Sequence, residues 1–288
     1  MQASESSTAA FFDLDKTILA RSSTLAFSRP FYQGGLINRR TVVRSAYAQF
    51  MYLLGGADHD QMEKMRAHLS RLVTGWDVQT VKDIVAEALH HVVDPLVYAE
   101  AVTLIDEHRS AGRDIIIVSS SGQEVVEPIG ERLGADHVIA TRMATSAGQF
   151  TGEIDFYSYG HNKVVAIREL AQSRQYDLDR CYAYSDSITD LPLLEVVGYP
   201  YAVNPDRALR RTAAKRGWPA LRFSRPVAVS KRPRRLGAWG VNRPVLTAAA
   251  LGAGAAMALL WVVRRGRSTP FLDRLDEKAD AVLSRMQR

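Results

Sequence analysis

Residues 9–17 read AAFFDLDKT, an apolar run that ends on two carboxylates one residue apart. Residues 9–14 are too short and too uniformly apolar for an amphipathic helix, and they read as a buried strand. If strand geometry continues past Phe12, side chains two residues apart point the same way, so Asp13 and Asp15 share a side. Two such carboxylates can divide a phosphoryl-group reaction. One attacks phosphorus and the other moves a proton to or from the leaving oxygen.

Working outward, residues 23–111 read as helical almost throughout. Apolar residues recur at helical spacing in Asn38 to Leu54, His59 to Leu72, Val78 to Val92 and Leu96 to His108. Asp58, Asp77 and Asp94-Pro95 supply start signals, and Gly55-Gly56, Gly75 and Gly112 supply stops. At Arg113 the period changes. Ile115-Ile116-Ile117-Val118 is a β-branched strand that runs into Ser119-Ser120-Ser121-Gly122. Gln123 to Leu133 is a helix, and residues 137–155 suggest strands joined by a hairpin around Gly148 and Gly152. Asn162 to Ser173 is helical, and Cys181 to Tyr184 and Tyr199 to Val203 are short strands. Single strands alternating with single helices predict an α/β fold, a Rossmann-like parallel sheet with helices on both faces. The helical block interrupts that pattern after the first strand and reads as an inserted all-helical cap.

Three further candidates fall at strand ends or helix starts, the edge where open α/β sheets bind ligands. Ser119 ends the second strand and offers a hydroxyl to a phosphoryl oxygen, with Ser120 beside it. Lys163 lies at a helix start and supplies a fixed positive charge. Asp186 and Asp190, in Ser185-Asp186-Ser187-Ile188-Thr189-Asp190, offer hard oxygen ligands that suit Mg²⁺.

These four motifs, in this order, resemble the haloacid dehalogenase-like hydrolase superfamily, and within it the phosphoserine-phosphatase-like subfamily IB, over roughly residues 9–225. The resemblance implies a magnesium-dependent phosphatase that hydrolyses a phosphate monoester. Asp13 would be the nucleophile that forms an aspartyl-phosphate, and Asp15 the general acid and then base. Thr17 would help shape the first loop at the phosphate, and Ser119, Ser120 and Lys163 would hold phosphoryl oxygens. Mg²⁺ would sit on the Asp13 carboxylate, the Asp15 carbonyl and Asp186, with Asp190 supporting it through water or Lys163. Lys16 stands where many superfamily members have Gly. Where phosphoserine phosphatases place an acidic residue for the substrate amine, this chain has Arg21-Ser22-Ser23-Thr24, so no carboxylate there can receive an ammonium group.

With 47% hydrophobic and 24% charged residues, the chain can bury a core and is not of disordered composition. The net charge of +6 is regional, because from Arg207 to Arg243 there are about a dozen basic residues and no acidic one. Val245 to Val263 carries no charge, and nineteen helical residues span roughly 28 Å, close to a bilayer core. The expected organisation is a core of residues 1–19 and 112–225, a cap at 20–111, a basic linker at 226–244, a transmembrane helix at 245–263 and an amphipathic charged tail at 264–288. Flanking arginines and Trp261 suit a bilayer. The basic side and the lack of a secretory signal put the catalytic part in the cytoplasm, on a single-pass cell-membrane protein, near anionic lipids. Gly252 and Ala256 would allow a homodimer. No nucleic-acid partner is expected.

The substrate would be a phosphorylated small molecule or a lipid. The alternatives are a soluble-metabolite phosphatase that is merely anchored, and a non-catalytic membrane scaffold on the same fold. Asp206 reads as a helix cap, Cys181 as a small buried residue, His108 and His161 as structural, and Trp76 as core.

Overall fold

The computed structural model describes residues 7–37 and 70–225. The expected helix at 38–54, most of that at 59–72, the linker, the transmembrane segment and the tail lie outside the described residues. Among the described residues no helix is long and apolar enough to cross a membrane.

In chain order the elements are β1 (Ala9–Asp13), α1 (Ser23–Ala26), α2 (Ser28–Gln33), α3 (Val78–Val92), α4 (Ala99–Ser110), β2 (Asp114–Gly122), α5 (Gln123–Leu133), β3 (His137–Ser146) and β4 (Gln149–Phe156). Then follow α6 (His161–Arg174), β5 (Tyr182–Ser185), α7 (Leu191–Glu195), β6 (Tyr199–Val203), α8 (Arg207–Arg216) and β7 (Ala220–Leu221). The strands form one seven-stranded sheet in the order β4-β3-β2-β1-β5-β6-β7. Every neighbouring pair is parallel except β3 with β4. The chain is therefore an α/β protein with a Rossmann-like, mostly parallel sheet, as the alternating pattern predicts.

The first strand is apolar on successive positions because it is central and covered on both faces. Ala9 and Phe11 pack with Ile116, Val118, Ala183 and Ile167 on one side. Ala10 and Phe12 pack with Ile115, Ile117 and Tyr184 on the other. The hairpin expected near Gly148 forms between β3 and β4, and its turn has positive φ at Ala147 (49°) and Gly148 (79°). Two successive positive φ values match the twist of the flanking strands, and a glycine suits the second position.

The inserted block closes on itself at a neck. Ala20 N–H donates to Leu96 O (2.7 Å) and Tyr98 N–H to Ile18 O (2.9 Å). Beyond the neck, α4 buries Ala101 and Ile105 in the same cluster as Phe12, Ile115 and Ile117. This helix was expected within the block ending at residue 111, but it serves as the crossover from β1 to β2. Helical periodicity marks an apolar face without saying which surface covers it, so the sequence could not separate this helix from its predecessors. Within the block, Asp77 caps α3 by accepting from Thr80 N–H (2.7 Å) and Thr80 Oγ1 (2.8 Å).

A ladder of rings crosses the sheet on the α4 face. Phe12 stacks on Tyr184 at 4.7 Å and Tyr184 on Tyr201 at 5.0 Å, each pair in register across neighbouring strands. His108, on α4, is buried against it. Its Nε2 lies 2.8 Å from Tyr184 Oη, and Arg113 Nη1 approaches Nδ1 at 3.4 Å. Arginine only donates, so Nδ1 accepts and the proton of the neutral ring sits on Nε2. Burial, and next the Arg113 charge, lower this histidine to about 4 from 6.5.

The unfolded chain takes up this proton near pH 6.5 and the folded chain resists until about 4, so the His108 contribution is present above pH 6.5 and is lost as pH falls through 4. We expect about 2 kcal/mol of stability to disappear across that window, after allowing for partial solvent screening. Chemical denaturation of wild type and His108→Gln at pH 7 and pH 4 checks this. The variant should lose less on acidification, and parallel losses would contradict the assignment.

Candidate active site

The site forms where β1, β2 and β5 end side by side. Asp13 is the last residue of β1 and is buried. The chain then turns tightly, with Ile18 and Leu19 N–H both donating to Leu14 O at 3.0 and 2.9 Å. Lys16 takes φ of 64° in this turn. That left-handed backbone is a physical reason for glycine at this place in related chains, and a non-glycine residue there costs roughly 1 kcal/mol. Thr17 is fully buried within the turn, and its Oγ1 has no hydrogen-bond partner among the described residues.

Lys163 enters from the first turn of α6 and is 2% exposed. Its Nζ lies 3.0 Å from Asp13 Oδ1 and straddles the Asp190 carboxylate, 2.8 Å from Oδ1 and 2.9 Å from Oδ2. The hydrogen-bond geometry is made to Oδ2. Ser185 Oγ also donates to that oxygen, at 2.8 Å. Asp190 precedes α7 without capping it through its side chain, which is turned inward to Lys163. The Asp190 carboxylate and Lys163 are thus in direct contact.

Burial opposes charge on Lys163, yet Asp13 and Asp190 outweigh it and raise its pKa. Burial raises Asp13 well above the usual carboxylate range, against the Lys163 ammonium, with Asp190, Asp186 and Asp15 adding repulsion. Asp186, just past β5, is pushed up to about 7 by burial, which Lys16 opposes and Asp190 and Asp206 reinforce.

Asp15 has different surroundings. Its Oδ1 accepts from Ser23 N–H at 2.6 Å and its Oδ2 from Ser121 Oγ at 3.1 Å. Burial raises this carboxyl, while the Ser23 and Ser121 hydrogen bonds pull it back. Ser119 is 1% exposed and its Oγ accepts from Ser121 N–H at 3.2 Å. Ser120 turns its side chain to solvent, and its carbonyl accepts from Thr141 Oγ1 at 2.8 Å.

Asp13, Lys163 and Asp190 are thus joined directly, Asp15 and Ser119 are linked through Ser121, and Asp186 lies within electrostatic reach of Asp13. The sequence reading missed Ser121, Ser23 and Ser185. Ser121 follows Ser119 by two, the spacing that repeats one strand face, and Ser185 directly precedes Asp186. Those were the available signals. Asp206 caps α8 through Ala208 and Leu209 N–H (2.8 and 2.7 Å) and also accepts from Ile188 N–H (2.9 Å). Cys181 is fully buried, and Trp76 packs against the core. His161 is exposed at the start of α6.

Among the described residues no three His, Cys, Asp or Glu side chains converge as a metal cluster. The charged oxygen groups around Asp13 are the carboxylates of Asp15, Asp186 and Asp190, with no sulfur or imidazole among them. Such a set fits Mg²⁺, which commonly uses one or two carboxylates and fills its shell with water and phosphate.

Known proteins resemble this chain in sequence and in fold. A Streptomyces azureus protein named for inhibition of morphological differentiation is 64% identical over 265 residues, covering 91% of this chain and 95% of its own. A probable phosphatase of Mycobacterium tuberculosis is 61% identical over 225 residues, 78% of each chain. A solved phosphoserine phosphatase, captured as a phospho-aspartyl intermediate analogue, shares the fold with a TM-score of 0.55 at 18% identity, over 77% of this chain and 95% of its own. The haloacid dehalogenase-like hydrolase family matches residues 10–195. With well over half its length in that match, the chain belongs to the haloacid dehalogenase-like hydrolase family.

Proposed function

We propose that this hydrolase cleaves a phosphate monoester through an aspartyl-phosphate on Asp13, with Mg²⁺. The observation that carries the reading is the buried Lys163 ammonium, 3.0 Å from Asp13, beside a second carboxyl held apart from it on Ser23 and Ser121. The two carboxyl groups have different partners and therefore suit different tasks.

An Asp13 oxygen attacks phosphorus, a P–O bond forms, and the bond to the leaving oxygen breaks. Asp15, raised by burial, gives its proton to that oxygen. It then takes a proton from water, whose oxygen attacks phosphorus and breaks the Asp13–phosphorus bond. Phosphate leaves and both carboxyl groups return to their starting states. Lys163 holds Asp13 in place and offsets charge on the phosphoryl group, and Ser119 offers its hydroxyl to a phosphoryl oxygen. Asp13, Asp186 and the Asp15 carbonyl would hold Mg²⁺. When bound, the cation supplies Lewis-acid charge that lets a carboxylate approach a phosphate dianion.

The uncharged stretch 245–263 supports a membrane-tethered enzyme with a substrate at or near a bilayer, such as a lipid phosphate. A screen of soluble and lipid phosphate monoesters, run beside Asp13→Asn, tests both parts. Best turnover on lipid esters supports the membrane substrate. Turnover confined to soluble esters rejects it, and no turnover at all favours a scaffold.

Asp13→Asn should lower kcat by at least ~10³-fold, because it removes the nucleophile while keeping its volume. Chelation should abolish turnover and added Mg²⁺ restore it. Ser185→Ala removes a hydrogen bond from buried Asp190, which still holds Lys163. We expect a stability loss of about 1–2 kcal/mol and roughly tenfold lower kcat, read by thermal denaturation and steady-state kinetics.

A further inference from the structure

We propose that Ser121 is a positioning residue that aims the proton-donating oxygen of Asp15, and that Ser23 and Thr24 orient the Ser121 hydroxyl for that task. The proposal rests on the reading of Asp15 as acid and base given above.

A serine hydroxyl has one hydrogen to give and two lone pairs to receive. Ser121 Oγ has three polar side-chain neighbours, which are Asp15 Oδ2 at 3.1 Å, Ser23 Oγ at 2.9 Å and Thr24 Oγ1 at 3.2 Å. An ionised carboxylate only accepts. With Asp15 ionised the single Ser121 hydrogen goes to Asp15, and its lone pairs are then open to the hydroxyls of Ser23 and Thr24. Ser121 is 8% exposed, so water competes little.

The other Asp15 oxygen is fixed by a different kind of donor. Ser23 N–H meets Oδ1 at 2.6 Å, and a backbone amide can only donate. Oδ1 thus remains an acceptor in both states of the carboxyl, and the transferable proton rides on Oδ2, the oxygen that Ser121 grips. Rotation of the carboxyl about its Cβ–Cγ bond is held at both ends, by α1 through Ser23 and by β2 through Ser121. The β2 end has an irregular register between Val118 and Gly122. Such irregularities re-aim side chains near active sites. Here Ser119 and Ser121 stay linked, Ser121 N–H donating to Ser119 Oγ at 3.2 Å, while their hydroxyls serve phosphate and acid respectively.

A residue that aims a general acid reveals itself through the leaving group. p-Nitrophenolate departs without a proton, whereas an alkoxide needs one. The value of kcat/KM covers only steps through leaving-group departure, so the later work of Asp15 as base does not enter it. The test measures kcat/KM of the full chain with Mg²⁺ for p-nitrophenyl phosphate and for glycerol phosphate, in wild type, Ser121→Ala, Ser121→Thr and Asp13→Asn. Ser121→Ala should lose about 10- to 100-fold more on glycerol phosphate than on the aryl ester. Ser121→Thr keeps the hydroxyl and should bring the ratio back to within about threefold of wild type.

Equal losses on the two esters would mark Ser121 as merely structural and overturn the proposal, as would an unchanged ratio. If Ser121→Ala does not fold, Ser23→Ala removes one orienting hydroxyl while keeping the N–H. It should shift the ratio in the same direction, and no shift would overturn the proposal. A flat ratio with turnover that still depends on Asp13 sinks this inference alone. Asp13→Asn as active as wild type sinks the phosphatase reading and this inference with it.

Discussion

Two carboxylates from distant parts of the chain converge on one ammonium group that water hardly reaches. Asp13 ends the first strand, Asp190 follows the fifth, and Lys163 comes from the helix between them in sequence. Burying a lone ammonium or carboxylate costs several kcal/mol, and attraction offsets that only with close geometry and further hydrogen bonds. The close geometry holds here, since Lys163 reaches both partners within 3.0 Å, and Ser185 adds a hydrogen bond to Asp190 Oδ2 at 2.8 Å. Removing the lysine would leave two buried charges unpaired, a loss of roughly 3–5 kcal/mol. The same cation is thus structural and positioned for catalysis.

Sheet topology makes that convergence possible. With β1 in the centre, parallel to β2 on one side and β5 on the other, three chain segments end at one edge. Each contributes its first polar residues there. β1 gives Asp13, β2 gives Ser119, and β5 gives Ser185 and then Asp186. The apolar strands below keep water out and lower the local dielectric, which strengthens every interaction at the edge. The aromatic ladder of Phe12, Tyr184 and Tyr201 ties β1 and β5, two of these strands, to the neighbouring β6.

Much of this was legible in the sequence because it depends on local patterns. The run Ala9 to Leu14, the β-branched stretch at 115–118 and the hairpin glycine at 148 each state their structure within a few residues. Asp13, Asp15, Ser119 and Lys163 were readable because they fall at predicted strand ends or a helix start. Other features depend on three-dimensional meeting. Helix α4 has the same periodicity as its predecessors, and only its packing on β2 makes it a helix of the core sheet. Ser23 and Ser121 are 98 residues apart, and nothing in either neighbourhood announces that their hydroxyls lie 2.9 Å from each other. Lys16 shows a third kind of illegibility, because its φ of 64° follows from closure of the Leu14–Leu19 turn and not from any preference of lysine.

The stretch at Arg21 to Thr24 links geometry to substrate choice. The resemblance to phosphoserine phosphatases leads one to expect a carboxylate for a substrate ammonium in that region, and this chain has Arg21-Ser22-Ser23-Thr24. Here Ser23 is fully buried, with its N–H spent on Asp15 and its hydroxyl on Ser121, and Thr24 also turns to Ser121. The segment has been committed to holding the acid. The segment itself offers an ammonium group only hydroxyls that are already engaged, and the carboxylate beside it, Asp15, is held by Ser23 and Ser121. The N–H and hydroxyls of this segment thus serve Asp15 and Ser121, and the segment has no carboxylate of its own to receive an ammonium group.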